Sequence, residues 1–274
     1  MIGIFDSGFG GLTVMKEYLK KYPEFDYIYL GDQANAPYGP HSKERVEELT
    51  LKNIDFLVKK GCKLIIVACN TASADALRAA QQKYKGKPVI LGVIVPAVEA
   101  ALEQSRFGNI GVIGTRGVIK SGAYKRELSK YGVLYAPTDK RARKEVKAYS
   151  QACPLLVPLI EEGLIDHPAT RMILKNYVRP LKHANIDTLI LGCTHYPLLQ
   201  KEIQRIMGKN CVVISSAKTA VNAIEPYFKN HPDLLKKLSK GGKRRYLTTD
   251  SVERFAKIGG KFLGEKIKVE KVDI

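Results

Sequence analysis

Two short apolar runs, each ending in a cysteine, constrain the fold of this chain more than any other feature. Residues 64–68 lead into Cys69, and residues 189–192 lead into Cys193. Small hydrogen-bonding residues and then a segment with helical character follow each cysteine. Such runs are typical of strands buried on both faces of a parallel sheet, whose functional residues lie just past the strand ends. We therefore expect the two thiols to face each other across one site.

Strand-like and helix-like segments alternate along the chain, which favours an α/β fold with doubly wound parallel sheets. The opening strand ends at Asp6, and a matching strand in the second half of the chain ends at Thr115. Because the two halves echo each other, we expect two α/β domains related by a pseudo-twofold axis. The active site is then expected in the cleft between them.

Composition excludes several classes of protein. The chain has 274 residues, of which 45% are hydrophobic and 26% charged, as in ordinary globular proteins. No apolar run approaches the ~20 residues that span a bilayer, and the chain opens on a strand without a basic leader. We therefore expect a cytoplasmic protein that does not enter membranes. The five cysteines include no CxxC pair, which argues against a disulfide framework or a structural zinc site.

The chain is strongly basic, with a net charge of +18. A positive excess favours acidic partners, such as anionic small molecules, nucleic acid or a membrane surface. The basic residues are widely spread, and they are densest over 140–147 and 236–245. A solvated, lysine-rich surface explains this distribution better than a specific acidic partner does, and charge alone identifies no ligand.

Paired thiols predict acid–base chemistry on opposite faces of one bound molecule. A helix N-terminus lowers the pKa of a thiol, so we expect a thiolate near neutral pH. One sulfur would remove a proton and the other would return one, which inverts a stereocentre. Asp6 is a candidate to orient or deprotonate Cys69, and His195 to serve Cys193, although a turn aspartate and a packed imidazole are equally good interpretations. A Cys–His nucleophile is the competing chemistry, and it leaves Cys69 unused.

Four motifs in this order resemble the glutamate racemases, within the cofactor-independent aspartate/glutamate racemase family. They are FDSGFGGLTV at residues 5–14, PYG at 37–39, ACNTAS at 68–73 and GCTHYPLL at 192–199. The resemblance covers nearly the whole chain and implies two α/β domains, with the C-terminal segment returning to the first. The expected domains are residues 1–95 with 215–274, and residues 96–214.

The resemblance also implies a reaction, which is racemisation of L- and D-glutamate by two-cysteine proton transfer at the α-carbon. It implies supply of D-glutamate for peptidoglycan, no cofactor, no metal, and glutamate as the small-molecule substrate. We also expect a homodimer. The implied catalytic residues are Cys69, Cys193, Asp6, His195 and Glu161. The implied substrate-binding residues are Asp6, Ser7, Pro37, Tyr38, Gly39, Asn70, Thr71, Thr115, Thr194 and His195.

Two positions depart from the family pattern. Asn35 stands where the family often has arginine, and Val95 precedes Pro96 where the family often has glutamate. We expect these departures to change domain contacts, dimer form or regulation rather than catalysis.

Two other functions stay open at this stage. One is a racemase of the same fold that acts on aspartate or hydantoins. The other is a binding protein, because some glutamate racemases are thought to restrain DNA gyrase and the charge of +18 would suit nucleic acid or gyrase. No aromatic–basic platform or nucleic-acid motif in the sequence supports the second function.

Overall fold

The computed structural model describes residues 1–131, 133–136 and 139–274, without the side chains of residues 132–144. The strands are β1 (Ile2–Asp6), β2 (Tyr27–Gly31), β3 (Leu64–Val67), β4 (Val89–Gly92), β5 (Asn109–Gly114), β6 (Val133–Ala136), β7 (Asp139–Glu145), β8 (Lys147–Ala152), β9 (Thr188–Gly192), β10 (Val212–Ser215), β11 (Arg244–Thr248) and β12 (Val269–Lys271). The helices are α1 (Leu12–Lys21), α2 (Lys43–Lys59), α3 (Asn70–Asp75), α4 (Leu77–Tyr84), α5 (Ile94–Gln104), α6 (Arg116–Ser121), α7 (Ala123–Ser129), α8 (Leu156–Glu161), α9 (Pro168–His183), α10 (Gln200–Met207), α11 (Ser216–Asn230), α12 (Pro232–Lys237) and α13 (Val252–Leu263). Short 3-10 turns cover Gln33–Asn35 and Tyr196–Leu199.

The described strands form two parallel sheets and a small antiparallel ribbon. The strand order in the first sheet is β12-β11-β2-β1-β3-β4, and its neighbouring strands pair in parallel. The second sheet has the order β10-β9-β5-β8 and is also parallel. The ribbon consists of β6 and β7. The predicted α/β class with parallel sheets is therefore confirmed.

The two strands that lead into the cysteines lie inside their sheets. β3 runs between β1 and β4, and β9 runs between β10 and β5. Both strands are buried along their whole length. The neighbouring strands satisfy the backbone hydrogen bonds of β3 and β9 on both sides. Helices cover both faces of a parallel sheet, so side chains that point to either face are buried against apolar groups. The apolar composition of these runs is explained by this position.

The C-terminal segment returns to the first sheet, as the family resemblance implied. β11 pairs with β2, and β12 pairs with β11. β10 belongs to the second sheet, and α11 then leads back by packing on α1 and α5. The boundaries near residues 95 and 215 and the pseudo-twofold axis stay predictions.

For the basic stretch over 140–147, the structure describes the backbone but not the side chains of residues 140–144. Among the described helices, none combines the length and apolar character that crossing a membrane requires.

Candidate active site

Cys69 closes β3 and caps the N-terminus of α3. Its Sγ accepts the backbone N–H of Ala72 at 3.5 Å, and the thiol donates to Ser7 Oγ at 3.6 Å. The residue is only 5% exposed. Burial and the charge of Asp6 raise the pKa of Cys69 to about 12, although the helix contact acts in the opposite direction. The expected lowering of this pKa is therefore wrong, because desolvation outweighs the helix N-terminus.

Asp6 ends β1 and lies fully buried at the junction of the two sheets. Its carboxylate accepts the N–H of Gly8 at 3.0 Å and the hydroxyl of Thr194 at 3.4 Å. Burial raises the pKa of Asp6, while the charge of His195 and these hydrogen bonds oppose the shift. Asp6 thus connects the C-terminal end of β1 to the loop that follows Cys193.

Cys193 follows β9 but does not cap an α-helix, because a 3-10 turn intervenes before α10 begins at Gln200. Its Sγ lies 3.8 Å from His195 Nδ1, and His195 Nε2 lies 3.0 Å from Glu161 Oε1. Burial acts to lower the pKa of His195, but Cys193 and Glu161 together raise it to about 10. Two side chains, His195 and Glu161, are therefore aligned behind Cys193, whereas the N-terminus of α3 contacts Cys69.

The two cysteine loops meet at one site. Cys69 and Cys193 lie close enough for a negative charge on the second to raise the pKa of the first. A side chain at Gly10 would overlap Thr194, so glycine is required where the first turn reaches the second loop. Thr13 strengthens this contact by donating its hydroxyl to the carbonyl of Thr194 at 2.8 Å.

Polar side chains from both halves surround the thiols. The hydroxyls of Thr71 and Thr115 lie 3.1 Å apart. Asn70 accepts the Tyr124 hydroxyl on its Oδ1 at 2.6 Å. The Nδ2 of Asn70 is buried and has no hydrogen-bond partner within the part of the chain that the structure describes. This rim offers hydroxyls and one free amide donor to a polar molecule.

The loop after β2 brings Gly39 to this rim, where its carbonyl accepts the N–H of Gly117 at 3.0 Å. Tyr38 is 1% exposed, and its hydroxyl donates to Asp32 Oδ2 at 2.6 Å. Pro37 is exposed. The Tyr38 hydroxyl is thus engaged within the protein, and Gly39 is the part of the PYG motif that lies against the other half.

Three residues that contribute to the site were absent from the sequence predictions: Thr13, Asp32 and Tyr124. Thr13 lies inside the first motif, and its position there is a signal that it contributes to the site. Asp32 directly follows β2, and a carboxylate past a strand end is a usable signal. Tyr124 lies on α7, where nothing in the local spacing distinguishes it from a core tyrosine.

A cleft of about 960 Å³ also opens between the two halves, lined by residues that include Asp75, Arg78, Glu99 and Arg126. No predicted catalytic or binding residue lines this cleft. Within the described ranges, no group of three His, Cys, Asp or Glu side chains could hold a metal ion. The acid–base groups are gathered instead around the two thiols.

The chain is similar to proteins of known class. Residues 11–224 match the profile of the Asp/Glu/Hydantoin racemase family. The chain is 42% identical over 266 residues to the glutamate racemase of Geobacter metallireducens, covering 97% of this chain and 93% of that relative.

Solved structures agree with this result. A glutamate racemase isoform from Bacillus anthracis superimposes with a TM-score of 0.89 and 37% identity, over 100% of this chain and 97% of that one. The glutamate racemase from Francisella tularensis, in complex with D-glutamate, gives a TM-score of 0.86 and 32% identity, over 99% and 97% of the two chains.

Parallel sheets whose strand ends bring two buried cysteines together, in a chain so similar to known racemases, define an enzyme of the isomerase class. The chain belongs to the Asp/Glu/Hydantoin racemase family.

Proposed function

We propose that this racemase interconverts L-glutamate and D-glutamate by proton transfer at the α-carbon, with Cys69 and Cys193 as the two acid–base groups. The meeting of both buried thiols at one site, from the ends of β3 and β9, carries the proposal. Glutamate as the substrate is supported by the relative from Geobacter metallireducens and by the Francisella tularensis complex with D-glutamate.

In each turnover the thiolate of one cysteine removes the α-proton and becomes a thiol. The thiol of the other cysteine donates its proton to the opposite face of the carbon and becomes a thiolate. One thiolate and one thiol are present before and after the reaction, so protons and charge balance. Configuration inverts because the departing and arriving protons lie on opposite faces.

The surroundings of the two thiols differ, which favours one starting state. Desolvation keeps Cys69 in the thiol form, since its pKa is about 12. At Cys193, the sulfur faces His195 Nδ1 at 3.8 Å, and the other ring nitrogen of His195 is held by Glu161 at 3.0 Å. The family analogy assigns Cys193 to the L-enantiomer and Cys69 to the D-enantiomer, and a protonated Cys69 is the form that donates a proton when L-glutamate is converted.

Substrate binding is assigned to the polar rim. The amide of Asn70 and the hydroxyls of Ser7, Thr71 and Thr115 would donate to the two carboxylates of glutamate. Thr194, whose hydroxyl donates to Asp6, would contact the substrate from the second cysteine loop. The Nδ2 of Asn70 has no partner among the described residues, which supports this role, because a buried donor is stabilised when a ligand accepts its hydrogen bond. Asp6 would face the substrate ammonium or the neighbouring thiol, and the backbone at Gly39 would close the rim.

The remaining parts of the proposal come from the family resemblance. They are supply of D-glutamate for peptidoglycan, a cytoplasmic site of action, a homodimer, and catalysis without metal, pyridoxal phosphate or nicotinamide. Exhaustive chelation and dialysis should leave the rate unchanged. A rate that returned only with an added cofactor would count against this part.

Binding of nucleic acid or gyrase stays the alternative function, and DNA titration at several salt concentrations tests it.

Isotope flow tests the two-base reaction directly. When L-glutamate is converted in deuterium oxide, the D-glutamate product should carry α-deuterium from the first turnovers. The residual L-glutamate should stay largely unlabelled until the reverse reaction becomes significant. Early and equal labelling of both enantiomers would show that one base serves both faces.

The choice of substrate is tested separately. Chiral chromatography with glutamate, aspartate and a hydantoin should show racemisation of glutamate as the fastest reaction. Faster turnover of either other compound would reassign the substrate while leaving the family unchanged.

A further inference from the structure

The side chain of Tyr124 lies between the ends of the two cysteine strands. It is 2% exposed, and its hydroxyl donates to Oδ1 of Asn70, the residue after Cys69, at 2.6 Å. Its ring packs against Gly192, the residue before Cys193, where an added Cβ would lie 3.1 Å from Tyr124 Cε2. A single side chain from the second half thus contacts the neighbours of both thiols.

The hydrogen bond between Tyr124 and Asn70 has a defined polarity. Burial raises the pKa of Tyr124, so the hydroxyl stays protonated and acts as the donor. Oδ1 of Asn70 faces Tyr124 and accepts this hydrogen bond, which the amino group of the same amide could not do. The Nδ2 of Asn70 is directed elsewhere, and it is buried with no partner among the described residues.

A buried amide donor without a partner keeps its full desolvation cost until a ligand accepts its hydrogen bond. An oxygen anion is the best acceptor for such a donor, and a carboxylate is the anion of an amino-acid substrate. If the amide rotated by 180°, its oxygen would face the carboxylate and repel it. The orientation of this amide therefore determines whether its contact with the substrate carboxylate is attractive or repulsive.

We propose that Tyr124 is a positioning residue that fixes the amide of Asn70 so that Nδ2 donates to a carboxylate of the substrate. This inference rests on the proposed function, since it needs an amino-acid carboxylate at the rim. It adds Tyr124, a residue of α7 that lies outside the motifs around the cysteines, to the substrate-binding site.

The test is Tyr124→Phe, which keeps the ring against Gly192 and removes only the hydroxyl. We expect KM for both enantiomers to rise about tenfold, the effect of one misdirected hydrogen bond, while kcat changes less than threefold. Affinity for an equilibrated mixture of D- and L-glutamate, measured by calorimetry without net turnover, should fall by the same factor.

Tyr27→Phe is the matched control. The Tyr27 hydroxyl donates to the carbonyl of Tyr22 at 2.9 Å, so this variant also loses one tyrosine hydrogen bond, at a position outside the site. We expect unchanged KM and unchanged affinity for Tyr27→Phe.

Three results would separate the possible failures. Unchanged KM and affinity in a folded Tyr124→Phe variant would overturn the role of Tyr124 and leave the proposed function standing. A wild-type chain that does not racemise glutamate would overturn the proposed function itself. If Tyr124→Phe does not fold, the side-chain amide signal of Asn70 in the ¹⁵N-labelled wild type decides, since it should shift on adding glutamate, and a static signal would overturn the inference.

Discussion

Desolvation controls the chemistry of individual residues at this site. Cys69 sits at a helix N-terminus, which normally lowers the pKa of a thiol, yet its burial beside Asp6 raises that pKa to about 12. His195 shows the opposite balance, because contacts with Cys193 and Glu161 overcome the effect of burial and raise its pKa to about 10. Each shift is the outcome of several competing neighbours rather than of local sequence.

The state of Cys69 can be tested by alkylation. Below a pKa of about 12, the thiolate fraction rises tenfold with each pH unit, so labelling of Cys69 by iodoacetamide should be slow at pH 7 and accelerate steadily up to pH 10. Peptide mass spectrometry would follow the reaction. In Asp6→Asn the neighbouring charge is absent, and labelling at a given pH should be faster. A plateau near pH 8 in the wild type would contradict the high pKa.

Replacing either site cysteine should remove racemisation. Cys69→Ala and Cys193→Ala each leave one face of the α-carbon without a proton donor or acceptor, so kcat should fall at least about 10³-fold. Cys62→Ala and Cys211→Ala are the controls, because both thiols are buried outside the site and their loss should cost only about 1 kcal/mol of stability. A single essential cysteine would indicate nucleophilic catalysis instead.

The loop after β2 shows how one buried residue organises an element. Asp32 is 2% exposed and accepts hydrogen bonds from Tyr38, Asn53 and Thr249 at 2.6, 3.1 and 2.9 Å. These partners come from the loop itself, from α2 and from the end of β11. The carboxylate therefore ties the loop that carries Gly39 to two other elements.

Removing this carboxylate should loosen the loop. Asp32→Ala removes the acceptor of Tyr38 and Asn53, which are buried, and of Thr249 and Asn35, which are half-buried. We expect the free energy of unfolding to fall by about 3 kcal/mol. Amide hydrogen exchange over residues 33–39 should accelerate, and KM should rise because Gly39 loses its position. Exchange that stayed as slow as in the wild type would show that the loop is held by other contacts.

At the scale of the molecule, contacts between the two halves set the separation of the thiols. The bond from Thr13 to the Thr194 carbonyl and the pair Thr71–Thr115 both join residues that are far apart in the chain. Because a misplacement of about 1 Å can cost 10²-fold in rate, these small contacts have consequences for catalysis.

Thr13 provides the test of this coupling. Thr13→Val keeps the shape and removes the hydroxyl, so kcat should fall about tenfold and stability by about 1–2 kcal/mol. Thr13→Ser retains the donor and should keep most of the activity. Thr50→Val is the matched control, because the buried Thr50 hydroxyl has no hydrogen-bond partner among the described residues and its loss should be neutral or stabilising. Equal losses in Thr13→Val and Thr13→Ser would contradict the role of the hydroxyl.

The sequence by itself determined the parallel sheets and the position of both cysteines at strand ends. The runs that became β3 and β9 are apolar throughout, and strands buried on both faces require that composition locally. β8 was not predicted, because its residues KAYSQA are largely polar and, among the described strands, it pairs with β5 alone at the sheet edge. Local pattern thus identifies central strands better than edge strands.

Only the tertiary structure decided how the site works. The contact of Asp6 with Thr194 spans 188 positions in the chain, and that of Tyr124 with Asn70 spans 54. Desolvation depends on every group packed around a side chain, so no local motif could show that the pKa of Cys69 is raised rather than lowered. The same holds for the side-chain amide of Asn70, whose oxygen accepts a hydrogen bond from a tyrosine in the other half of the molecule.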